Sequence, residues 1–181
     1  MIELAALLRG INVSGKNRIA MADLKKGFEA LGFADVRTYL NSGNVLFSCG
    51  CEDTGSVTEM IETMIHECFG LEIPVMVISI AGLADILDHA PEWWGSDDPG
   101  IYDNLIFILP PADFKEIYDE IGEVKEGLEQ IMSYKDVIFW SFDRKQYQKT
   151  NWWPKTAGTD AARKLTIRTA NTVRKLAGMR K

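Results

Sequence analysis

The sequence predicts an α+β fold. Three observations support this: apolar residues alternate in short segments typical of strands, they recur every three to four positions between those segments, and the order of segments is repeated along the chain. Each order is strand, helix, strand, strand, helix, strand, which predicts two tandem ferredoxin-like (βαββαβ) halves packed as one compact unit. We place the first half at residues 1–80, a linking helix and acidic aromatic loop at 81–103, and the second half, with a basic C-terminal helix, at 104–181.

The first half carries the clearer signals. Its predicted elements are a strand over Ile2–Leu8, a helix over Met21–Leu31, a hairpin over Val36–Leu40 and Val45–Cys49, a helix from Ser56, and a strand over Pro74–Ile78. Asn41-Ser42-Gly43-Asn44 supplies the turn chemistry of the hairpin. Ser56 and Glu59 predict a capping box, followed by an apolar stripe that includes Cys68.

The second half repeats this order more weakly. Its predicted elements, after a linking helix over Ala81–His89, are a strand over Leu105–Leu109, a helix beginning near Pro111, a hairpin over Leu128–Tyr134 and Val137–Phe142, a polar helical stretch near Arg144–Lys149, a strand over Leu165–Arg168 and a helix from Thr169. The segment with Trp152-Trp153-Pro154 is predicted to be a loop. The two halves share no visible residue-level repeat.

Composition is that of an ordinary globular protein, because 46% of the 181 residues are hydrophobic and 25% are charged. The net charge of −6 hides an asymmetry. Residues 1–143 contain 9 Lys and Arg against 25 Asp and Glu, whereas residues 144–181 contain 11 Lys and Arg and the single acid Asp160. Such a split indicates either an internal electrostatic match or a basic surface for an anionic partner.

Cysteine usage favours a reducing, cytoplasmic location, since three cysteines do not suggest a disulfide framework. The apolar segments are too short to span a bilayer, and the first residues do not resemble a signal peptide. Cys49 and Cys51, with His66 and Cys68, lack the spacing of a zinc module. We expect free thiols, no metal and no cofactor.

The loop after the first strand resembles a phosphate-binding P-loop in one respect only. Gly10 to Asn17 follows the pattern G-x-x-x-x-G-K-N, but Asn17 stands where the Mg²⁺-binding hydroxyl is needed, and the hairpin breaks the expected parallel sheet. An ATPase or GTPase is therefore not favoured. Arg9, Lys16, Arg18 and several backbone N–H groups still favour an anion-binding loop, the alternative being a tight loop with solvated cations.

The histidines and the tryptophan pairs do not assign a chemical function. The two histidines, His66 and His89, lie on predicted helices, and nothing marks a catalytic triad. Trp93-Trp94 and Trp152-Trp153 suggest either stacking platforms or half-buried lids over a small core. No catalytic residue is assigned.

Four cations suggest one positively charged site: Arg9, Lys16, Arg37 and Arg168. Arg37 projects from the hairpin face opposite Val36, and Arg168 lies at a strand-to-helix junction, where the helix dipole favours anions. The alternative is that each cation pairs separately with one of the 26 acidic residues.

Three segments together resemble the domain-of-unknown-function 1697 family: Leu7-Leu8-Arg9-Gly10-Ile11-Asn12-Val13 with Gly15-Lys16, Tyr39-Leu40-Asn41-Ser42-Gly43-Asn44-Val45, and Leu165-Thr166-Ile167-Arg168 with Asn171-Thr172-Val173. The resemblance implies a bacterial-type cytoplasmic protein with tandem ferredoxin-like halves and implies no activity. Two departures from the family pattern are Ser14, where many members have Gly, and Thr169-Ala170, where many have Asn-Trp. The polar residues that match a shared ligand site are Arg9, Asn12, Lys16, Ser42, Asn44, Arg168 and Asn171.

The sequence therefore favours a non-catalytic binding protein for an anionic ligand: a nucleotide, a phosphorylated metabolite or a nucleic acid. Nucleic acid is not favoured, because the net charge is −6 and the hairpin strands lack the aromatic pattern of an RNA-recognition motif. The alternatives are an enzyme acting on a small phosphorylated or carboxylated substrate, and an interaction or oligomerisation module. The oligomeric state is left open.

Overall fold

Eight strands form two four-stranded antiparallel sheets within residues 1–179, which are the residues that the computed structural model describes. The chain divides into two units, one around each sheet: Met1–Ala84 with the described residues from Leu176 onward, and Asp85–Lys175. The α+β fold with two similar halves is thus confirmed. None of the described helices has the length and apolar character needed to cross a membrane.

The first unit contains four strands and three helices among its described residues: β1 (Ile2–Leu8), α1 (Met21–Ala30), β2 (Ala34–Tyr39), β3 (Asn44–Cys49), α2 (Thr54–Phe69), β4 (Val75–Ser79) and α3 (Ile80–Asp88), the last of which crosses the boundary. The sheet order is β2-β3-β1-β4. In the registers, Leu4 lies opposite Phe47 of β3 and opposite Ser79 of β4. β1 is therefore a central strand, and the loop that follows it leaves the middle of the sheet edge.

One face of this sheet packs against α1 and α2. Alternate residues Leu4, Ala6 and Leu8 of β1 enter this core, as expected from the period of two in a strand. Phe28 of α1 contacts Phe47 of β3 edge to face, with ring centroids 5.3 Å apart. The same core holds the helices that position the loop after β1.

The second unit repeats the strand order. Its elements are β5 (Ile101–Ile108), α4 (Phe114–Ile121), β6 (Glu129–Tyr134), β7 (Val137–Asp143), α5 (Trp152–Gly158), β8 (Leu165–Thr169) and most of α6 (Ala170–Gly178), with short 3-10 helices over Tyr147–Lys149 and Ala161–Lys164. The sheet order is β6-β7-β5-β8. Its core is rich in aromatic side chains, because Trp140 of β7 and Trp152 of α5 are both fully buried.

The second helix begins differently from the predicted capping box. It starts at Thr54, two residues before Ser56, and its N-cap is Asp53. The Asp53 carboxylate accepts hydrogen bonds from Gly55 N at 3.1 Å and from Ser56 Oγ at 2.5 Å. The capping-box prediction is wrong because Asp53 caps the helix three residues earlier, so Ser56 lies within the first turn and donates its hydroxyl to the cap.

Cys68 is exposed, so its assignment to the apolar stripe of α2 is also wrong. The buried positions are Val57, Ile61, Met64 and Ile65, and the half-buried Phe69 continues the row toward the core. Positions spaced by four residues from Val57 stay on the buried side. Cys68 lies at the edge of that row and turns to solvent.

The segment predicted as a loop around Trp152 is the helix α5. Pro154 lies in its first turn, where a missing N–H costs no intrahelical hydrogen bond. The helix forms because Trp152 is buried against Trp140, with ring centroids 6.5 Å apart. Tertiary packing therefore overrides the loop signal of the Pro.

The helix α4 begins at Phe114, three residues after Pro111, and its N-cap is Asp113, which accepts a hydrogen bond from Glu116 N at 2.8 Å. The polar stretch after β7 is helical only over Tyr147–Lys149, as a 3-10 turn. The strand β5 begins at Ile101, four residues before the predicted start, because its polar residues pair with β7.

Candidate functional site

The loop after β1 is fastened to the first unit by one side chain. Asn12 Oδ1 accepts a hydrogen bond from Ile19 N at 2.9 Å, and Asn12 Nδ2 donates to Ile19 O and to Asn41 O, both at 2.9 Å. The amide thus closes the loop at its base and joins it to the β2–β3 turn. In this structure the Asn12 side chain positions the loop.

The backbone of this loop has an unusual conformation. Gly10, Asn12, Ser14, Gly15 and Asn17 all have positive φ, between 48° and 76°. Positive φ at five of the eight positions from Gly10 to Asn17 makes the chain fold back tightly on itself.

A tight turn at the tip of the loop helps to hold this conformation. Lys16 N donates to Val13 O at 2.9 Å, and Asn17 Nδ2 donates to Gly10 O at 3.1 Å. The backbone conformation of the loop is therefore supported by its own hydrogen bonds.

A shallow concavity of about 450 Å³ lies beside the loop. Its lining includes Asn12, Arg18 and Asn41, together with Ala20 and Met21 at the start of α1. The Arg18 guanidinium folds back over the loop, so that a Cβ added to Gly15 would lie 3.5 Å from Arg18 Nη2. A cation thus borders the concavity.

Two exposed cations are available here. Lys16 and Arg18 are both exposed, and no carboxylate among the described residues lies within salt-bridge distance of either. Arg9, which directly follows β1, is half-buried.

The first turn of α1 adds partial positive charge. Its N-cap position is Ala20, whose methyl side chain cannot accept a hydrogen bond, while Asp23 N and Leu24 N donate to Ala20 O. The N–H groups of Met21 and Ala22 have no intrahelical acceptor. Asp23 carries an opposing charge in this turn and is paired with Lys26 at 3.3 Å. The helix begins at the predicted residue, Met21. The sequence prediction did not include its uncapped first turn in the site, although the absence of a capping residue at Ala20 was a readable signal.

The β2–β3 turn brings two further predicted residues near the base of the loop. Asn44 is fully buried, and its Nδ2 donates to Tyr39 O at 2.9 Å and to Ser42 Oγ at 3.1 Å. Ser42 is exposed. Leu8 N donates to Gly43 O at 2.8 Å, so the turn lies beside the end of β1.

Arg37 lies elsewhere in the same unit. Its guanidinium is 3.9 Å from Glu3 Oε1, toward the amino end of β1, whereas Arg9 follows the carboxyl end of that strand. Arg37 and Glu3 are each about one third exposed. The structure therefore places Arg37 in an ion pair.

Arg168 and Asn171 belong to the second unit. Arg168 lies in β8 opposite Leu105, is 8% exposed, and donates through Nη1 to Thr166 Oγ1 at 3.0 Å and to Ile167 O at 2.9 Å. Burial lowers the pKa of Arg168 to about 10, so the side chain stays cationic at neutral pH. Asn171 is exposed in the first turn of α6, and Thr169 Oγ1 accepts from Thr172 N at 3.3 Å. The role of these residues as ligand contacts stays a prediction.

Two cations of the basic segment, residues 144–181, have partners within the second unit. Lys164 lies 2.7 Å from Glu116 and 3.7 Å from Glu120, and Arg174 Nη2 donates to Gly95 O at 2.7 Å. The hydrogen bond that Lys164 donates to the Glu116 carboxylate raises the pKa of Lys164. For Lys164 the internal electrostatic match describes the structure, whereas the partner of Arg174 is a neutral carbonyl.

The remaining chemical groups are dispersed. Cys49 is buried, and Cys51 is exposed. His89 Nδ1 lies 2.8 Å from Asp85 O, and its ring stacks on Tyr134 with centroids 4.4 Å apart. Within residues 1–179, no group of three or more His, Cys, Asp or Glu side chains has the arrangement of a metal site.

The loop after β1 and the β2–β3 turn contain most of the first two of the three segments on which the family resemblance rests. A family model described as protein of unknown function (DUF1697) matches residues 1–139. The chain belongs to the DUF1697 family. The match covers the whole loop site in the first unit and ends within β7.

A solved structure is similar to nearly the whole chain. A conserved bacterial protein from Streptococcus pneumoniae is similar to this DUF1697 chain at 28% sequence identity with a TM-score of 0.86, over 98% of each chain. No curated protein matches the chain.

Proposed function

We propose that this DUF1697 protein binds a small anion, such as a phosphate group of a nucleotide or of a phosphorylated metabolite, at the loop after β1. The observation that carries the proposal is the concavity where Arg18 and the uncapped first turn of α1 meet. Exposed N–H groups at a helix start and nearby cations are the usual components of a phosphate site. No step of bond making or breaking is assigned to it.

Lys16 and Arg18 supply the charge in this proposal, and Asn12 and Asn44 hold the loop and turn in place. Arg9, which follows β1, and Ser42, which lies in the β2–β3 turn, are proposed as further contacts to the anion. The proposal for the first unit does not use Arg37, which faces Glu3, nor Arg168 and Asn171 of the second unit.

We also propose that each half is a ferredoxin-like unit. The support is the shared sheet order, in which the first and third strands of each half are central and antiparallel. The proposed domain limits are 1–80 and 104–181 with the link 81–103, and the proposed location is the cytoplasm.

Inorganic phosphate is the probe that tests the binding function. A ligand that binds only the native state raises its stability by about 1.4 kcal/mol at ten times the dissociation constant. We expect a saturable rise in melting temperature with phosphate for the full chain, and its loss in the double variant Lys16→Gln/Arg18→Gln.

The matched control is Lys25→Gln/Arg163→Gln, which removes two exposed cations whose acidic partners, Glu29 and Asp160, lie outside the lining of the concavity. This control must keep the phosphate response. A response that does not saturate, or that both double variants lose equally, contradicts the proposal and indicates general charge screening.

A further inference from the structure

The second unit contains an aromatic cluster, with one ring exposed to solvent, that the loop site does not explain. Trp153, Tyr147, Phe142 and Tyr102, together with Arg144, line a small cavity of about 220 Å³. Trp153 and Phe142 meet edge to face with ring centroids 5.5 Å apart, and Tyr147 and Trp153 do so at 4.9 Å. We refer to these five residues as the aromatic cluster.

Trp153 is the residue that opens this cluster to solvent. It is 39% exposed, and it is the only exposed aromatic residue in the described part of the chain. The indole N–H groups of Trp94, Trp140 and Trp152 donate to acceptors in the protein. No described residue accepts a hydrogen bond from Trp153 Nε1, which leaves a donor and a ring surface for a ligand.

The size of the cavity limits the ligand. Sites for drug-sized molecules typically measure about 300–1,000 Å³. A cavity of about 220 Å³ therefore accommodates one ring system, with the rest of the ligand outside.

Charge decides between two ligand classes. A cage of aromatic rings can take either a cation or a planar ring. The Arg144 guanidinium already lies over the Tyr102 ring, 4.6 Å from its centroid, and Lys145 and Lys149 are close in sequence. A cationic ligand would meet like charge at this position.

The rim favours an anionic group on the ligand. Among the described carboxylates, none forms a salt bridge with Arg144, Lys145 or Lys149. The neighbouring Asp143 carboxylate accepts hydrogen bonds from Lys145 N at 2.7 Å and from Gln146 Nε2 at 3.4 Å. Asp143 interacts with Lys145, which leaves Arg144 as the cation of the cavity lining without a salt bridge to a described carboxylate.

We infer that the aromatic cluster binds a nucleotide, with the nucleobase stacked against Trp153 and Arg144 and the phosphate group outside the cavity on the Arg144 side. A base has an aromatic face for the indole and guanidinium planes, and its ring acceptors suit Trp153 Nε1. The source of the base is either a free nucleotide or a single-stranded nucleic acid, which present the same chemistry.

The test is an NMR titration of the full chain that follows the Trp153 indole N–H with AMP and UMP. We expect a saturable shift of this signal in the native chain. In Trp153→Ala the titration is followed through the backbone amides of Arg144 and Tyr147, and we expect affinity for AMP to be about tenfold weaker because base stacking is lost. Arg144→Gln, which changes an exposed residue, is expected to weaken binding several-fold. Arg163→Gln, an exposed arginine of the same basic segment, is the matched control and is expected to bind as the native chain does.

The comparison ligands make each outcome decisive. Ribose 5-phosphate lacks the base and choline is a cation, so binding of either as tightly as AMP overturns the inference. Absence of a saturable shift with both AMP and UMP at millimolar concentration also overturns it, as does equal AMP affinity in Arg144→Gln and the native chain.

Tighter binding of an eight-nucleotide oligo(dA) than of AMP supports the inference and indicates single-stranded nucleic acid, whereas equal or weaker binding supports it and indicates a free nucleotide. Lys16→Gln/Arg18→Gln separates the two sites, because it should leave AMP binding at the aromatic cluster intact.

Discussion

The Glu129 carboxylate lies 2.6 Å from the backbone nitrogen of Asn151, across 22 residues of sequence. Glu129 is 4% exposed and also accepts from Lys125 N, Trp152 N and Trp140 Nε1. One acidic side chain therefore joins β6, β7 and the start of α5. It is a structural carboxylate, and it fixes the helix that carries Trp153.

Replacement of Glu129 should destabilise the second unit strongly. Glu129→Ala leaves several buried N–H donors without an acceptor, each worth about 1–3 kcal/mol, so we expect a loss of about 3 kcal/mol or more. Thermal unfolding followed by circular dichroism measures it. Glu126→Ala, three residues away and exposed, should change stability by less than about 0.5 kcal/mol. Equal effects of the two substitutions would contradict the structural role of Glu129.

Asn12 has two separable contributions to the loop. Asn12→Gly removes the three side-chain hydrogen bonds but suits a φ of 55°, and we expect a loss of about 1–2 kcal/mol. Asn12→Ala loses the same bonds and adds left-handed backbone strain of about 1 kcal/mol. Urea denaturation should therefore rank the native chain, Asn12→Gly and Asn12→Ala in decreasing stability. If Ala is tolerated better than Gly, the loop does not have this backbone.

Gly43 should tolerate a side chain less well than Gly10. Both have positive φ, 82° and 68°, but a Cβ on Gly43 would lie 2.7 Å from the buried Leu8 Cβ, while a Cβ on Gly10 meets nothing within 4 Å. We expect Gly10→Ala to cost about 1 kcal/mol and Gly43→Ala about 2–4 kcal/mol, because overpacking adds to strain. Urea midpoints of the two variants measure this difference directly. Equal midpoints would rule out the close approach of the turn to β1.

The N-cap of α2 should make stability depend on pH in the acidic range. Hydrogen bonds from Ser56 and Gly55 lower the pKa of Asp53 below 3.8. The folded state therefore binds this proton less readily than the unfolded state, and the stabilisation is present above pH 3.8 and lost as the pH falls through the lower folded value.

Asp53→Ala should accordingly melt at a lower temperature than the native chain at pH 7, and the difference should shrink below pH 4. Asp53→Asn keeps a capping acceptor whose charge does not change with pH. Melting curves between pH 2 and 7 test this. A gap between Asp53→Ala and the native chain that stays constant over this range would show that the Asp53 carboxylate is not the titrating group.

Local sequence signals predicted the elements whose apolar residues recur with a clear strand or helix period. The strand Ile2–Leu8 has the predicted bounds, and α1 ends one residue before the predicted end, because alternation and helical spacing are local properties. The start of α2 was misplaced because two capping signals, at Asp53 and Ser56, compete within three residues.

The site depends on contacts that local signals cannot specify. Asn12 meets Asn41 across 29 residues, and Glu129 meets the start of α5, which holds a helix where Trp152-Trp153-Pro154 predicted a loop. The motif around Asn12 was recognised from the sequence, but its structural function required the fold. Trp152 and Trp153 likewise separate into a buried and an exposed ring only when packed.

A titration of the full chain with inorganic phosphate, followed through backbone amide shifts by NMR, tests the anion-binding site most directly. We predict saturable shifts concentrated in residues 12–22, largest at Met21 and Ala22, and absent in Lys16→Gln/Arg18→Gln. Saturable shifts centred elsewhere in the chain, or unchanged shifts at Met21 and Ala22 in that double variant, would contradict the proposal that the loop after β1 binds the anion.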